Sequence, residues 1–171
     1  NGVKNFNSSF KIDSIIPEFS GVPQLIAITT PFYNPSFNNK QYFTIGGVID
    51  ITFSLNKPVS LTNTDGTSGE LNKLTLKITG SISVSAYSVS DHLTFRYTVN
   101  KNDSIPVGIL IGSNNMSLSS SGQIKDDAGN NLVLTTYAGI PAKDQFIIDA
   151  IIPSITTIEI TSSKNSTSHP Y

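Results

Sequence analysis

Leu93-Thr94-Phe95-Arg96-Tyr97-Thr98-Val99 alternates without a break. Leu93, Phe95, Tyr97 and Val99 fall on one side, and Thr94, Arg96 and Thr98 on the other. Successive side chains of an extended chain point to opposite faces, so this stretch predicts a strand with one buried and one wet face. The same period runs through residues 48–55, where Ile49, Ile51, Phe53 and Leu55 oppose Asp50, Thr52 and Ser54. It returns in 74–78, where Leu74, Leu76 and Ile78 flank Thr75 and Lys77, and in 81–87. Residues 24–30 form a short β-like run closed by Pro31, and weaker strands are predicted at 107–111, 132–136 and 145–148. Turn residues separate these runs at 63–66, 79–80, 100–103, 121–122 and 127–130. No stretch sustains a helical period. The pattern predicts an all-β, antiparallel two-sheet sandwich of roughly seven to nine strands. Ile51, Phe53, Leu76, Leu93, Phe95 and Tyr97 are expected to be buried on its facing sheets.

One phrase occurs twice. Ile12-Asp13-Ser14-Ile15-Ile16-Pro17 returns 136 residues later as Ile148-Asp149-Ala150-Ile151-Ile152-Pro153, with five of six positions identical. A junction repeated at the spacing of one domain marks a tandem array. The division that follows is 1–19 as linker or end of a preceding repeat, 20–153 as the sandwich, and 154–171 as linker or start of the next repeat. The composition suits a folded domain with long polar loops. Of 171 residues, 37% are hydrophobic and 13% charged, against roughly 25% charged in an average soluble protein. With a net charge of −1 and no basic patch, there is no electrostatic case for nucleic acid or an anionic membrane. No apolar run approaches the ~18–20 residues of a membrane span. If the protein is exported, its signal is expected outside this stretch. The absence of cysteine excludes a disulfide framework, a thiolate metal site and a cysteine nucleophile, and suits an exported surface protein.

Three segments, in order, carry a family resemblance: Gly46-Gly47-Val48-Ile49-Asp50-Ile51-Thr52-Phe53-Ser54 with Lys57-Pro58-Val59; Leu93-Thr94-Phe95-Arg96-Tyr97-Thr98-Val99 followed by Asn102-Asp103; and Ile124-Lys125-Asp126-Asp127-Ala128-Gly129-Asn130-Asn131-Leu132 followed by Ile148-Asp149 and Pro153. Together they resemble the bacterial immunoglobulin-like repeat of large surface and adhesin-type proteins. The resemblance implies that the fold is an Ig-like antiparallel β-sandwich and that the domain is a non-enzymatic spacer, at the cell surface or secreted. It also implies neighbouring repeats of the same chain as partners, and a host or neighbouring-cell surface protein or glycan as target. The rival reading is a carbohydrate- or protein-binding module that recognises its ligand through end loops. Phe32, Tyr33, Phe37, Tyr42 and Phe43, in and after the loop at 31–40, would then form a platform. The plainer role for these aromatics is to cap the core.

The strongest local candidate is Asp126-Asp127-Ala128-Gly129-Asn130. It reads as a turn in which Asp side chains close on their own backbone and Gly129 and Asn130 adopt positive φ. It also reads as a Ca²⁺ site, since calcium takes about six to eight oxygen ligands and Asp126, Asp127 and Asn130 supply several. Asp149, or Asp13 from the other end, would add a carboxylate where two domains meet. Asp13 and Asp149 either end a strand and start a linker, or clamp a junction. Catalysis finds no motif: neither His92 nor His169 has a carboxylate or second histidine at ligand spacing, and no nucleophile or phosphate-loop signature is present. An acid pair such as Asp50 with Glu70 would have to be assembled by folding. A Lys–Asn isopeptide staple would draw on Lys57, Lys77 and Asp50 by residue type. The sequons at Asn7, Asn102, Asn115 and Asn165 arise by chance in so Asn- and Ser-rich a chain.

Overall fold

The computed structural model describes residues 12–29, 32–33, 40–79, 82–135, 137–143 and 146–160. Phe37, His169, Asn7, Asn165 and most of the loop at 31–40 lie outside these residues. The described strands are β1 (Gln24–Ala27), β2 (Phe32–Tyr33), β3 (Gln41–Phe43), β4 (Val48–Ser54), β5 (Ser60–Asn63), β6 (Leu74–Ile78), β7 (Ile82–Val89), β8 (His92–Thr98), β9 (Ser104–Ile105), β10 (Ile109–Ile111), β11 (Met116–Leu118), β12 (Gly122–Lys125), β13 (Ile140–Lys143) and β14 (Phe146–Asp149). A 3-10 turn, Leu71–Lys73, leads into β6. The strands exceed the expected seven to nine because many span only two to four residues, too few to show a period.

The four strongly alternating segments lie side by side. Six strands form one antiparallel sheet in the order β1-β4-β8-β7-β6-β11. Its spine is the β4–β8 ladder, in register from Val48↔Thr98 to Ser54↔His92. A four-stranded sheet, β2-β3-β14-β9, and two pairs, β5–β12 and β10–β13, supply the remaining strands. Within the four-stranded sheet β14 runs parallel to β3, which departs from the all-antiparallel expectation. Residues 132–135 form no strand. Leu132 is buried and Val133 exposed, so their alternation records burial without a ladder; the N–H of Leu132 reaches back to Ile124 O, 2.9 Å away.

Ile51, Phe53, Leu76, Leu93, Phe95 and Tyr97 are all buried, as expected. They do not sit on facing sheets, however. All six belong to β4, β6 and β8, and so to the inner face of the six-stranded sheet. Phe43, Leu61, Ile105, Ile109, Ile124, Ile140 and Ile148, from the other sheets, complete the same hydrophobic cluster. Phe43 also stacks on Phe146 at 5.6 Å, a core-capping role for one of the loop aromatics.

Towards one end of the core, Phe53 meets Phe95 and Tyr137 edge-on at 5.8 and 5.0 Å, and Phe19 closes the group. The Tyr137 hydroxyl accepts from the N–H groups of Asn115 and Met116 and donates to Gly112 O, so a buried phenol is fully paired and ties down the loop at 112–116. Burial pushes the Tyr137 phenol above its ordinary pKa. Phe95→Ala removes the ring that Phe53 packs against. It should lower the unfolding free energy by about 3–5 kcal/mol in urea denaturation. A loss under about 1 kcal/mol would show that Phe95 is not the packing centre described.

Candidate functional site

The best-organised polar cluster lies where the chain enters the sandwich. Lys57 follows β4 by three residues. Its ammonium donates to Asp126 Oδ2 at 2.7 Å, to Asp13 Oδ2 at 2.6 Å and to Ile15 O at 2.9 Å. Asp126 stands at the end of β12, and its side chain is 2% exposed. Its Oδ1 accepts from the N–H groups of Ala128 and Asn130, at 3.0 and 2.8 Å. Its Oδ2 accepts from Lys57 and from the Asn130 side-chain amide, the latter at 2.9 Å. A carboxylate has about four acceptor positions, and all four are used. Gly129 takes φ +89° in this turn, as expected; Asn130 does not adopt positive φ.

Asn130 also reaches the incoming segment, donating to Asp13 O at 3.1 Å and Ile15 O at 3.3 Å. Asn56 continues the contact. Its amide donates to Ile16 O, its Oδ1 accepts from the Glu18 N–H, and its own N–H bonds to Glu18 O. Pro17 is buried, and Phe19 bridges to Leu55 and enters the aromatic group. Residues 13–19 are thus fastened to the sandwich. An open pocket of about 300 Å³ lies beside this clamp, lined by Asp13, Lys57, Pro58, Asp126, Asp127 and Ala128.

The two copies of the repeated phrase lie at opposite ends of β4. Asp13 is at the Ser54 end. Asp149 pairs with Ser104 beyond the Val48 end, roughly 20 Å away along a seven-residue strand. There Ala150 exchanges backbone hydrogen bonds with Asn102 and Asp103, at 3.1 and 2.9 Å. The Asp103 carboxylate accepts from the Tyr97 hydroxyl and the Asn100 N–H. Burial, then the Asp103 hydrogen bond, pushes the Tyr97 phenol well up. The structure therefore brings Asp126 and Asn130 together, with exposed Asp127 beside them, and holds Asp149 apart. Among the described residues no group of three His, Cys, Asp or Glu converges at metal distance.

The catalytic and staple candidates fall elsewhere. Asp50 lies on the outer face but is only 7% exposed, because Arg96 covers it with two hydrogen bonds of 2.7 and 2.8 Å and itself stacks over Tyr87. Glu70 is exposed before the 3-10 turn. His92 does have a carboxylate partner, its sequence neighbour Asp91 at 3.0 Å, which the spacing argument passed over. The Ser90 hydroxyl donates to Asp91 and not to the imidazole, so the three adjacent residues lack the relay order of a nucleophile, base and orienting acid. Lys77 is exposed on the outer face. Lys57 does meet an acid and an asparagine, the residue types of an isopeptide staple. Both its nitrogen and that of Asn130 serve as donors to one ionised Asp126, whereas amide formation needs a neutral amine.

The electrostatics follow from the geometry. Lys57 holds Asp126 well below the usual carboxylate range and lowers Asp13 as well. Asp126 and then Asp13 raise Lys57 above its ordinary value. A carboxylate lowered by folding stabilises above its unfolded value and loses that contribution as pH falls through the folded value. A raised lysine stabilises below its unfolded value and loses it as pH rises through the folded one. The clamp's contribution should therefore be constant between 3.8 and 10.5, the ordinary values of the two groups. Lys57→Met should melt several degrees below the parent in that window, and the gap should close in acid. A gap independent of pH would mean that Lys57 acts through packing alone.

A Ca²⁺ ion bound through Asp126 would have to displace the Lys57 ammonium. We expect equal melting temperatures in chelator and in millimolar Ca²⁺. A rise with Ca²⁺ that disappears in Asp127→Ala would establish the calcium site instead. Comparisons with protein-family models, curated proteins and solved structures gave no match.

Proposed function

We propose that this chain is an Ig-like structural repeat of a bacterial cell-surface or secreted adhesin-type protein, acting as a spacer in a linear array. One observation carries the reading. The repeated phrase enters at one end of β4 as Asp13 and leaves at the other as Asp149, so that each unit begins where the last one ends. The ordered resemblance of the three segments supports the Ig-like assignment, and the absence of cysteine suits folding outside the cell. Neighbouring repeats are the immediate partners. A host or neighbouring-cell protein or glycan is the target for units at the tip. The role is mechanical and requires no turnover.

Small-angle scattering on one, two and three tandem copies tests the spacer reading. The maximum dimension should grow by an equal step with each copy. Growth as the cube root of mass would mean that the units collapse on one another, and would overturn it.

A further inference from the structure

Each copy of the repeated phrase is half docked, and the halves are complementary. In the first copy Ile12 is 91% exposed, whereas Asp13, Ile15, Ile16 and Glu18 bond to Lys57, Asn130 and Asn56. In the second copy Ile148 and Ala150 are buried in this unit. Ile151 and Ile152 are 59% and 56% exposed, much as Ile15 and Ile16 are at 66% and 44%, so the two copies differ in their polar pairing and not in the exposure of these side chains. Beyond them Ile155, Ile158 and Ile160 are exposed too. Both copies make the same local turn: Asp13 Oδ1 accepts from the Ile15 N–H at 3.2 Å, and Asp149 Oδ1 from the Ile151 N–H at 3.4 Å. Among the described residues no lysine or arginine pairs with Asp149. At the repeat offset, Ile155 takes the place of Phe19, the residue that enters the aromatic group.

From this we infer that residues 149–155 are a docking segment for the following unit. Asp149 pairs there with the lysine equivalent to Lys57, the carbonyls of Asp149 and Ile151 accept from the equivalent of Asn130, and Ile155 fills the apolar site that Phe19 fills here. The partner is a second copy of this fold, bound head to tail. The inference rests on the array reading and adds to it that the junction is rigid. Ile148 and Ala150 anchor the phrase in one unit while Asp149 and Ile151 fasten it to the next, with no slack residue between.

The test uses two copies in tandem, residues 1–155 of the first joined to residues 20–171 of the second, so that residues 148–155 stand where 12–19 stood. The chain has no cysteine of its own, and Ser83 is exposed on β7. Ser83→Cys in both copies therefore accepts one spin label each. Pulsed electron resonance should give one narrow inter-label distance. Asp149→Asn in the first copy, or Lys57→Met in the second, should broaden it severalfold, while Lys57→Arg should keep it narrow. Thermal melting of each variant separates a loosened junction from an unfolded unit. A broad distribution in the parent tandem, or a width unmoved by Asp149→Asn, overturns the inference. If scattering shows the same tandem elongated while the distance is broad, the spacer reading stands and the rigid junction falls. If the tandem is compact, the spacer reading falls with it.

Discussion

Seven consecutive residue pairs join β4 to β8, and the inner face of that ladder is dry. Ile49, Ile51 and Phe53 on one strand meet Tyr97, Phe95 and Leu93 on the other. A slip of one residue would turn the three apolar side chains of the slipped strand towards water and bring its charged residue, Asp50 or Arg96, into the core. The outer face reinforces the same register, because the Asp50–Arg96 fork closes only when those two residues are opposite. Everything else is arranged around this pair: β1 adds to its free edge, β7 and β6 extend the sheet, and the shorter strands complete the core.

The ends of the same ladder fix where the chain comes and goes. Past Ser54 the chain turns through Asn56 and Lys57, which hold the entering segment. Past Thr98 it turns through Asn100 to Asp103, which hold the leaving one. The two anchors differ in chemistry. The entry is ionic and open to water. The exit is made of backbone bonds around a buried tyrosine and is insensitive to the charge of Lys57.

Much of this was legible in the residues, and the illegible parts have physical causes. The strands β4, β6, β7 and β8 were readable because five to eight residues of period two suffice to show a half-buried face. Strands such as β5 and β12 were not. Leu61 and Ile124 pair across 63 residues of chain, and neither four-residue segment carries a pattern by itself. Residues 132–136 misled because alternation reports burial, and a loop crossing the core alternates as a strand does. At the site, the Asp126–Asn130 turn was readable from its own composition. Lys57 as its partner was not, since it lies 69 residues away and nothing local to Lys57 announces a carboxylate. Lys57 drew notice as part of the family resemblance and as a residue type suited to a different bond, and neither points to Asp126. Asp13 drew notice through its repetition and as a carboxylate that could join the Asp126–Asn130 turn, and it does meet that turn, through Lys57 and Asn130.

The entry and exit at opposite ends decide how the fold would answer a pull. β1 starts at the Ser54 end of β4 and runs towards the Val48 end, and β14 stops beyond the Val48 end. Tension applied through residues 17 and 153 would draw each strand along its own length, past β4 in one case and past β3 and β9 in the other. The ladder bonds would then be strained together and not opened one after another, so that short strands resist as a set.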